Sequence, residues 1–144
     1  MSMYKTFATD KDAERSGVWI DYGSFRVLLA RAGGGNKAFE RALEAATKPF
    51  RRAIATGRME TERLTEIVRK VFVDTCILAW ETKDEKTKAF VPGIEYPRDT
   101  LVDAKKETIL AVLEELPDLF DDLQDQATKA TVFREGELEE DAGN

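Results

Sequence analysis

Apolar residues recur along much of the chain with the spacing of an amphipathic helix. The clearest run begins at Thr61, and its members lie three or four residues apart on one continuous face. They are Leu64, Ile67, Val68, Val71, Phe72, Thr75, Leu78 and Ala79. A stripe with this period lets a helix bury one side against a core. The pattern predicts a long helix from Thr61 to Trp80, followed by a polar loop.

A second helical pattern starts after the Gly33-Gly34-Gly35 break. Asn36 suits a helix N-cap, because its side-chain oxygen can accept a hydrogen bond from the first turn. The apolar positions that follow are Phe39, Leu43, Ala46, Phe50 and Ile54. Pro49 lacks an amide hydrogen, so we expect it to kink this helix or to start a new one.

Two more helices are predicted in the second half of the chain. The first spans about residues 101–116 and places Ile109, Val112, Leu113 and Leu116 on one face. The second opens at Pro117, since proline is tolerated at the first helical position. Its inward positions are Phe120, Leu123 and Ala127.

Residues 16–31 predict a β-hairpin. Residues 18–22 and 25–29 are rich in β-branched and aromatic side chains, and Gly23-Ser24 marks the turn between them. Two strands alone are marginally stable in water, so we expect the hairpin to lie on the helices that follow.

Together these elements predict a mainly α-helical fold. A small N-terminal hairpin precedes a compact bundle of about four to five helices. We expect a flexible N-terminus at residues 1–12, one helical domain at residues 13–133 and an acidic, disordered tail at residues 134–144.

Composition argues against catalysis. The chain of 144 residues has no histidine, which is the commonest general base and metal ligand. It has one cysteine, Cys76. We therefore expect no enzyme activity, no metal and no cofactor. The longest apolar runs fall short of the ~20 residues that a bilayer crossing needs, and no signal peptide is evident, which predicts a cytoplasmic protein.

Charge is divided unevenly. Residues 1–80 carry 14 basic and 10 acidic side chains, whereas residues 81–144 carry 8 and 18. The net charge of −6 disfavours nucleic-acid binding. An acidic decoy that mimics DNA is an alternative interpretation, but the basic first half argues against it.

Large aromatic side chains are the candidate partner-binding residues, because aromatics are enriched at binding hot spots. The candidates are Trp19, Tyr22, Phe25, Trp80 and Phe133. Ordinary packing against the helices is the alternative for the hairpin aromatics.

The order of these features resembles the tail assembly chaperones of long-tailed, siphovirus-type bacteriophages. The resemblance covers about residues 10–133 and depends on spaced single residues and short motifs. In the first half these are Gly17, Trp19, Asn36-Lys37-x-Phe39, Leu43, Lys48-Pro49-Phe50, Gly57 and Trp80. In the second half they are Pro92, Tyr96, Leu110, Leu113, Leu116-Pro117-Asp118-Leu119, Gln126-Ala127 and Phe133.

The resemblance implies a non-enzymatic factor of the host cytoplasm. Such a chaperone binds the tape measure protein, keeps it soluble, recruits tail tube subunits and is absent from the mature virion. Self-association of the chain is left open. The alternative is a structural tail or neck component that stays in the particle.

Overall fold

The computed structural model describes residues 2–135 and contains a sheet flanked by helices. The helices are α1 (Met3–Phe7), α2 (Lys11–Ser16), α3 (Lys37–Thr47), α4 (Arg51–Ala55), α5 (Thr61–Thr75), α6 (Lys106–Glu115) and α7 (Pro117–Thr128). The strands are β1 (Val18–Asp21), β2 (Phe25–Leu29), β3 (Ile77–Lys83), β4 (Phe90–Pro92), β5 (Ile94–Glu95) and β6 (Leu101–Val102). Short 3-10 segments occupy Lys48–Phe50 and Ala130–Phe133.

The expectation of a mainly α-helical fold is wrong. The predicted hairpin forms, but it is half of a four-stranded antiparallel sheet with the order β1-β2-β3-β4. A second, two-stranded sheet joins β5 and β6. The fold is therefore mixed α/β, and the predicted helical bundle is replaced by helices packed against a sheet.

The predicted long helix from Thr61 to Trp80 is shorter in the structure. α5 begins at Thr61 as predicted but ends at Thr75, and Ile77–Lys83 becomes β3. The apolar run before Glu81 fits a buried strand as well as a buried helix, because a short apolar run does not distinguish the two periods. Pairing with β2 and β4 decides between them.

Lys106 provides hydrogen-bond donors for backbone carbonyl groups at the junction between α5 and β3. Its Nζ donates hydrogen bonds to the carbonyl oxygens of Val73, at 2.9 Å, and of Ile77. The carbonyl of Cys76 accepts from the amide of Ala30 at 2.7 Å, at the end of β2. Carbonyls at a helix C-terminus need such partners when they are buried. The helix can therefore stop within the core.

The amide side chain of Asn36 joins three elements. α3 begins directly after Asn36 as predicted, but this side chain does not cap the helix. Its Nδ2 donates instead to the carbonyl oxygens of Arg31, at 2.8 Å, and Thr75, at 3.1 Å. The residue is 5% exposed, so these bonds replace lost contacts with water. They connect the ends of β2 and α5 to the start of α3.

One face of the sheet and the helices α5, α6 and α7 enclose the core. Val27 pairs with Trp80 across β2 and β3, so both side chains lie on the face that the helices cover. Phe72 on α5 and Phe120 on α7 form an edge-to-face pair, with ring centroids 5.6 Å apart. The predicted inward positions of the last two helices are buried, except Leu116, which is 52% exposed.

Leu116 is exposed because it lies at the corner between α6 and α7. Its backbone leaves the helical region, with φ −121° and ψ 71°, and Pro117 starts α7 at the next residue. Because the chain changes direction here, Leu116 does not lie on the apolar face of α6, from which Ile109 and Leu113 point into the core. The prediction that Leu116 shares their buried face is wrong.

The first and the last described segments of the chain meet beside α2. Residues 1–12, predicted to be flexible, carry α1 and the start of α2. Thr9 forms an isolated antiparallel bridge with Arg134, and the amide of Asp10 donates to the carbonyl of Phe133 at 2.8 Å. Of the predicted acidic tail only Arg134 and Glu135 lie within the described residues.

A buried carboxylate holds α2 on the loop after β2. Glu14 is fully buried, and its oxygens accept from Thr9 Oγ1 at 2.7 Å, Arg31 Nη1 at 2.6 Å and the Gly35 amide at 3.1 Å. Burial raises the pKa of Glu14, but these donors together outweigh burial and lower it to about 2. A Cβ at Gly34 would lie 2.0 Å from Glu14 Oε2, so a side chain does not fit there.

We predict that Glu14→Gln lowers the free energy of unfolding by about 2 kcal/mol at neutral pH, because a charge-assisted network is lost. The pKa of this carboxyl is about 2 when folded and 4.5 without the network. Its contribution is therefore complete above pH 4.5 and disappears as the pH falls towards 2. Denaturant titrations across this range measure the effect.

The matched control is Glu40→Gln, in the exposed ion pair of Glu40 with Lys37, whose charged atoms lie 3.6 Å apart. We expect a change below about 0.5 kcal/mol, because exposed pairs contribute little. A gap between wild type and Glu14→Gln that stays constant down to pH 2 would contradict the ionic role of Glu14.

Candidate functional site

An open groove of about 700 Å³ lies at the end of the sheet where β1 turns into β2. The β3–β4 turn, the β5–β6 hairpin and the corner between α6 and α7 form its walls. Its floor is apolar and contains Phe25, Trp80, Val91, Ile94, Val112 and Leu119. We call this feature the apolar groove.

An aromatic stack forms one side of the floor. Phe25 lies between Tyr22 and Trp80, with ring centroids 4.8 Å from the first and 5.5 Å from the second. The rings are nearly parallel, at 11° and 5°, which fits offset stacking. In the pairing of β2 with β3, Phe25 lies opposite Thr82. Thr82 follows Trp80 by two residues, so the rings of Phe25 and Trp80 lie on the same face of the sheet.

The stack is tied to the helices through one hydroxyl. Tyr22 Oη donates to Asp122 Oδ2 on α7 at 2.5 Å. Burial and the Asp122 carboxylate both raise the pKa of Tyr22, so this donor keeps its proton at neutral pH. The hydrogen bond fixes the hairpin turn against α7 and thereby holds one wall of the groove.

Two leucines stand at the edge of the groove. Leu101 on β6 and Leu116 at the corner between α6 and α7 are each 52% exposed. Large apolar side chains beside an apolar floor favour a ligand that offers apolar surface of its own. The groove is therefore suited to apolar side chains of a partner.

Charged residues surround this apolar surface. The groove lining includes Lys83, Asp84, Glu85, Lys88, Glu95 and Asp99, which together carry more negative than positive charge. Two of these carboxylates are held by backbone amides, because Asp84 accepts from Lys86 and Thr87, and Glu95 accepts from Asp99. The amides that donate to Asp84 lower its pKa, so it stays ionised. The edge of the groove is therefore charged and ordered.

Cys76, the single cysteine of the sequence, does not line the groove. Burial raises the pKa of the Cys76 thiol to about 11, and this residue lies in the core. Within residues 2–135 no group of three His, Cys, Asp or Glu side chains could hold a metal ion. No helix in this part of the chain is long and apolar enough to cross a membrane. The groove offers shape and apolar surface for binding.

The five aromatic candidates are divided among three places. Phe25 and Trp80 line the groove and Tyr22 stacks behind them, although Trp80 is only 4% exposed. Trp19 pairs with Leu28 on the opposite face of the sheet, where its ring lies 4.3 Å from the Arg26 guanidinium. Phe133 is fully buried beside α2. Partner binding by these residues stays a prediction.

The leucines of the groove edge were not among the predicted site residues. A signal for Leu101 exists in the sequence, because Pro97-Arg98-Asp99-Thr100 is a typical turn between two short strands. That turn places Leu101 beside Gly93, at which an added Cβ would lie 2.9 Å from Leu101 Cδ1. No local signal identifies Leu116, because its exposure follows from the direction that α7 takes.

Comparison with protein-family models places most of the chain in one family. Residues 34–144 match the model described as YdaY prophage protein. The chain belongs to the YdaY prophage protein family. It is therefore phage-derived, and the matched region contains β3 to α7 and so most of the groove. Comparisons with curated proteins and with solved structures found no match.

We predict that Tyr22→Phe lowers the free energy of unfolding by about 1 kcal/mol, because the carboxylate of Asp122 loses its donor. The pKa of Tyr22 is 10.0 without its surroundings and higher in the fold. The contribution is thus complete below pH 10 and is lost as the pH rises further. Denaturant titrations of both proteins test this.

Tyr4→Phe is the control, since Tyr4 is 77% exposed on α1. We expect its stability to match that of wild type within about 0.5 kcal/mol. Equal stability of Tyr22→Phe and wild type would show that the Tyr22–Asp122 contact does not hold the groove wall.

Proposed function

We propose that this phage-derived protein is a tail assembly chaperone that binds the tape measure protein through the apolar groove. It keeps that protein soluble in the host cytoplasm and helps to recruit tail tube subunits. The observation that carries the proposal is the groove itself, in which an apolar floor and two half-exposed leucines lie inside a charged edge.

The volume of the groove is sufficient for several apolar side chains of a client. Its volume of about 700 Å³ is comparable with ligand sites that enclose several side chains. An amphipathic helix binds such a groove by inserting apolar side chains from successive turns. Leu101 and Leu116 would contact the flanks of such a helix, while Trp80 and Phe25 lie beneath it.

The distribution of charge supports a role in keeping a client dissolved. Residues 81–144 carry 8 basic and 18 acidic side chains, and this half of the sequence contributes most of the groove. Net charge of one sign on the outside of a complex opposes aggregation with other complexes. A chaperone that covers apolar helix faces needs both this repulsion and an apolar binding surface.

Two further findings are consistent with a role in tail assembly. Membership in the YdaY prophage protein family shows that the protein is phage-derived. The residues that carry the sequence resemblance to tail assembly chaperones include Trp80, Leu116 and Leu119, which line the groove. The tape measure protein is accordingly the client that we propose.

The test is co-expression with the tape measure protein of the same phage. We expect wild type to raise the soluble fraction of that protein, and the double variant Leu101→Glu/Leu116→Glu to lose most of this effect. Both leucines are half-exposed, so the added carboxylates oppose apolar contact without entering the core. The control is Ile54→Glu, on α4, where Ile54 is 36% exposed. It should behave as wild type.

A tape measure protein that is equally soluble without this chain would overturn the proposal. Retention of the full effect by the double variant would exclude the groove as the client site. Mass spectrometry of purified virions separates the alternatives, because many copies of this chain in mature particles would identify a structural tail or neck component instead.

A further inference from the structure

A cluster of basic side chains lies on the short helical segment before α5. Residues 48–58 contain four basic and no acidic side chains, although acidic residues outnumber basic ones in the whole chain, 28 to 22. The four are Lys48, Arg51, Arg52 and Arg58, and all are exposed. We call this cluster the basic surface. None of its members lines the apolar groove, so the proposed function makes no use of them.

The helical backbone brings the four residues close together. Lys48 opens a 3-10 turn, and α4 continues the helix from Arg51. Residues three and four positions apart are neighbours on a helix, so Arg51 and Arg52 both lie next to Lys48. Arg58 is held at the end of α4, because its amide donates to the carbonyl of Ala53 at 2.8 Å. The segment therefore concentrates positive charge in one small area.

The segment that carries the basic surface is fixed at both ends. At its start, the Arg63 guanidinium of α5 lies 4.8 Å from the centre of the Phe50 ring. At its end, Gly57 adopts the left-handed backbone conformation, with φ 71°, and its amide donates to the carbonyl of Ile54 at 3.2 Å. The cations are therefore presented from a defined backbone.

The cations of the basic surface have no carboxylate partner within residues 2–135. Other basic side chains in this part of the chain form ion pairs. They are Lys11, Arg15, Arg26, Arg31, Lys37, Arg69, Lys70 and Lys129. Like charges three and four residues apart repel one another and destabilise a helix. Carboxylates that bind the basic surface would remove this repulsion.

We propose that the basic surface binds an acidic segment of a partner protein, in which several carboxylates lie within a few residues of one another. Three of the four cations are arginines. The planar guanidinium group binds a carboxylate through two parallel hydrogen bonds. Ile54 lies on α4 with Arg51 and Arg52 and is 36% exposed, so it can contact an apolar side chain of the same segment.

The limited extent of the basic surface favours a protein segment over nucleic acid. A cleft of about 460 Å³ adjoins Phe50, and its lining includes Glu60, Glu62 and Glu66. A nucleic acid carries phosphate charges along its whole length, so it would meet these carboxylates and the net charge of −6. A short acidic segment can contact the four cations without passing over the cleft.

The basic surface and the apolar groove share no residue. One copy of the protein can therefore hold a client and an acidic partner at the same time. Binding of the acidic segment would bring a second protein to a bound client, whatever the identity of that client.

The test is fluorescence anisotropy of a short labelled peptide of Glu-Glu-Leu repeats, titrated with the full chain. We expect wild type to bind the peptide with an affinity that falls as salt is added, because exposed charge pairs are screened. Arg51→Glu/Arg52→Glu should bind it at least about tenfold more weakly. A peptide in which Gln replaces Glu should bind wild type no better than the acidic peptide binds this variant.

The matched control is Arg98→Glu/Lys105→Glu, which changes the net charge by the same amount. Both residues are exposed, and they lie between β5 and β6 and directly before α6. We expect the affinity of this control for the peptide to stay within about twofold of wild type, because distant exposed charges are screened. The denaturation midpoints of both variants should match that of wild type, since substitutions at exposed positions alter stability little.

Equal affinity of wild type and Arg51→Glu/Arg52→Glu for the peptide would overturn the inference. An equal loss of affinity in Arg98→Glu/Lys105→Glu would also overturn it, because net charge alone would then explain binding. Tighter binding of a labelled oligothymidylate than of the peptide would assign the surface to nucleic acid. Self-association of wild type that Arg51→Glu/Arg52→Glu abolishes would make a second copy the occupant. Both of these results reject an acidic segment of a partner protein.

Client solubility separates failure of this inference from failure of the proposed function. Arg51→Glu/Arg52→Glu should raise the soluble fraction of the tape measure protein as wild type does. Leu101→Glu/Leu116→Glu should bind the acidic peptide within about twofold of wild type, because its basic surface is intact. Peptide binding without any effect on the tape measure protein would reject the proposed function alone, and the reverse result would reject only the acidic partner.

Discussion

The pairing of β3 with β2 is the interaction on which the rest of the structure depends. It inserts a strand immediately after α5, with Cys76 as the single residue between them. A helix that ends inside a core leaves carbonyl groups without partners, and here Lys106 and the amide of Ala30 supply them. Once these groups are satisfied, Trp80 can lie opposite Val27 and complete the core.

The same pairing creates the groove. It sets Phe25 beside Trp80 and allows β4 to continue the sheet, so the aromatic stack lies at one side of the groove floor. The corner at Leu116 and the hairpin that carries Leu101 then stand at its edge. An apolar surface left open in this way is compatible with stability because the core beneath it, around Phe72 and Leu113, is complete.

The opposite end of the sheet is organised by polar contacts. Glu14 joins α2 to the loop after β2, and Asn36 joins that loop to the end of α5. Buried polar groups with all their partners in place fix a particular arrangement of elements, since any other leaves them unsatisfied. The two ends of the sheet therefore differ. One end has the open apolar groove, and the other has a buried network of polar contacts beside α1 and α2.

Local physical preferences in the sequence determined many single elements. The hairpin at residues 16–31, the break at Pro49, the start of α5 at Thr61 and the start of α7 at Pro117 follow from turn chemistry and apolar spacing, which act within a few residues. The core positions Ile109, Leu113, Phe120 and Leu123 were likewise recognisable from their helical period.

Only the tertiary structure decided whether the apolar run before Glu81 forms a helix or a strand. That choice also decided the fold class. The choice depends on β2 as a hydrogen-bonding partner that lies about 50 residues away in the chain. For the same reason, the groove could not be predicted from the sequence. Its floor and edge come from segments whose separate patterns are ordinary, and they become a binding surface only when long-range pairing and the corner at Leu116 bring them together.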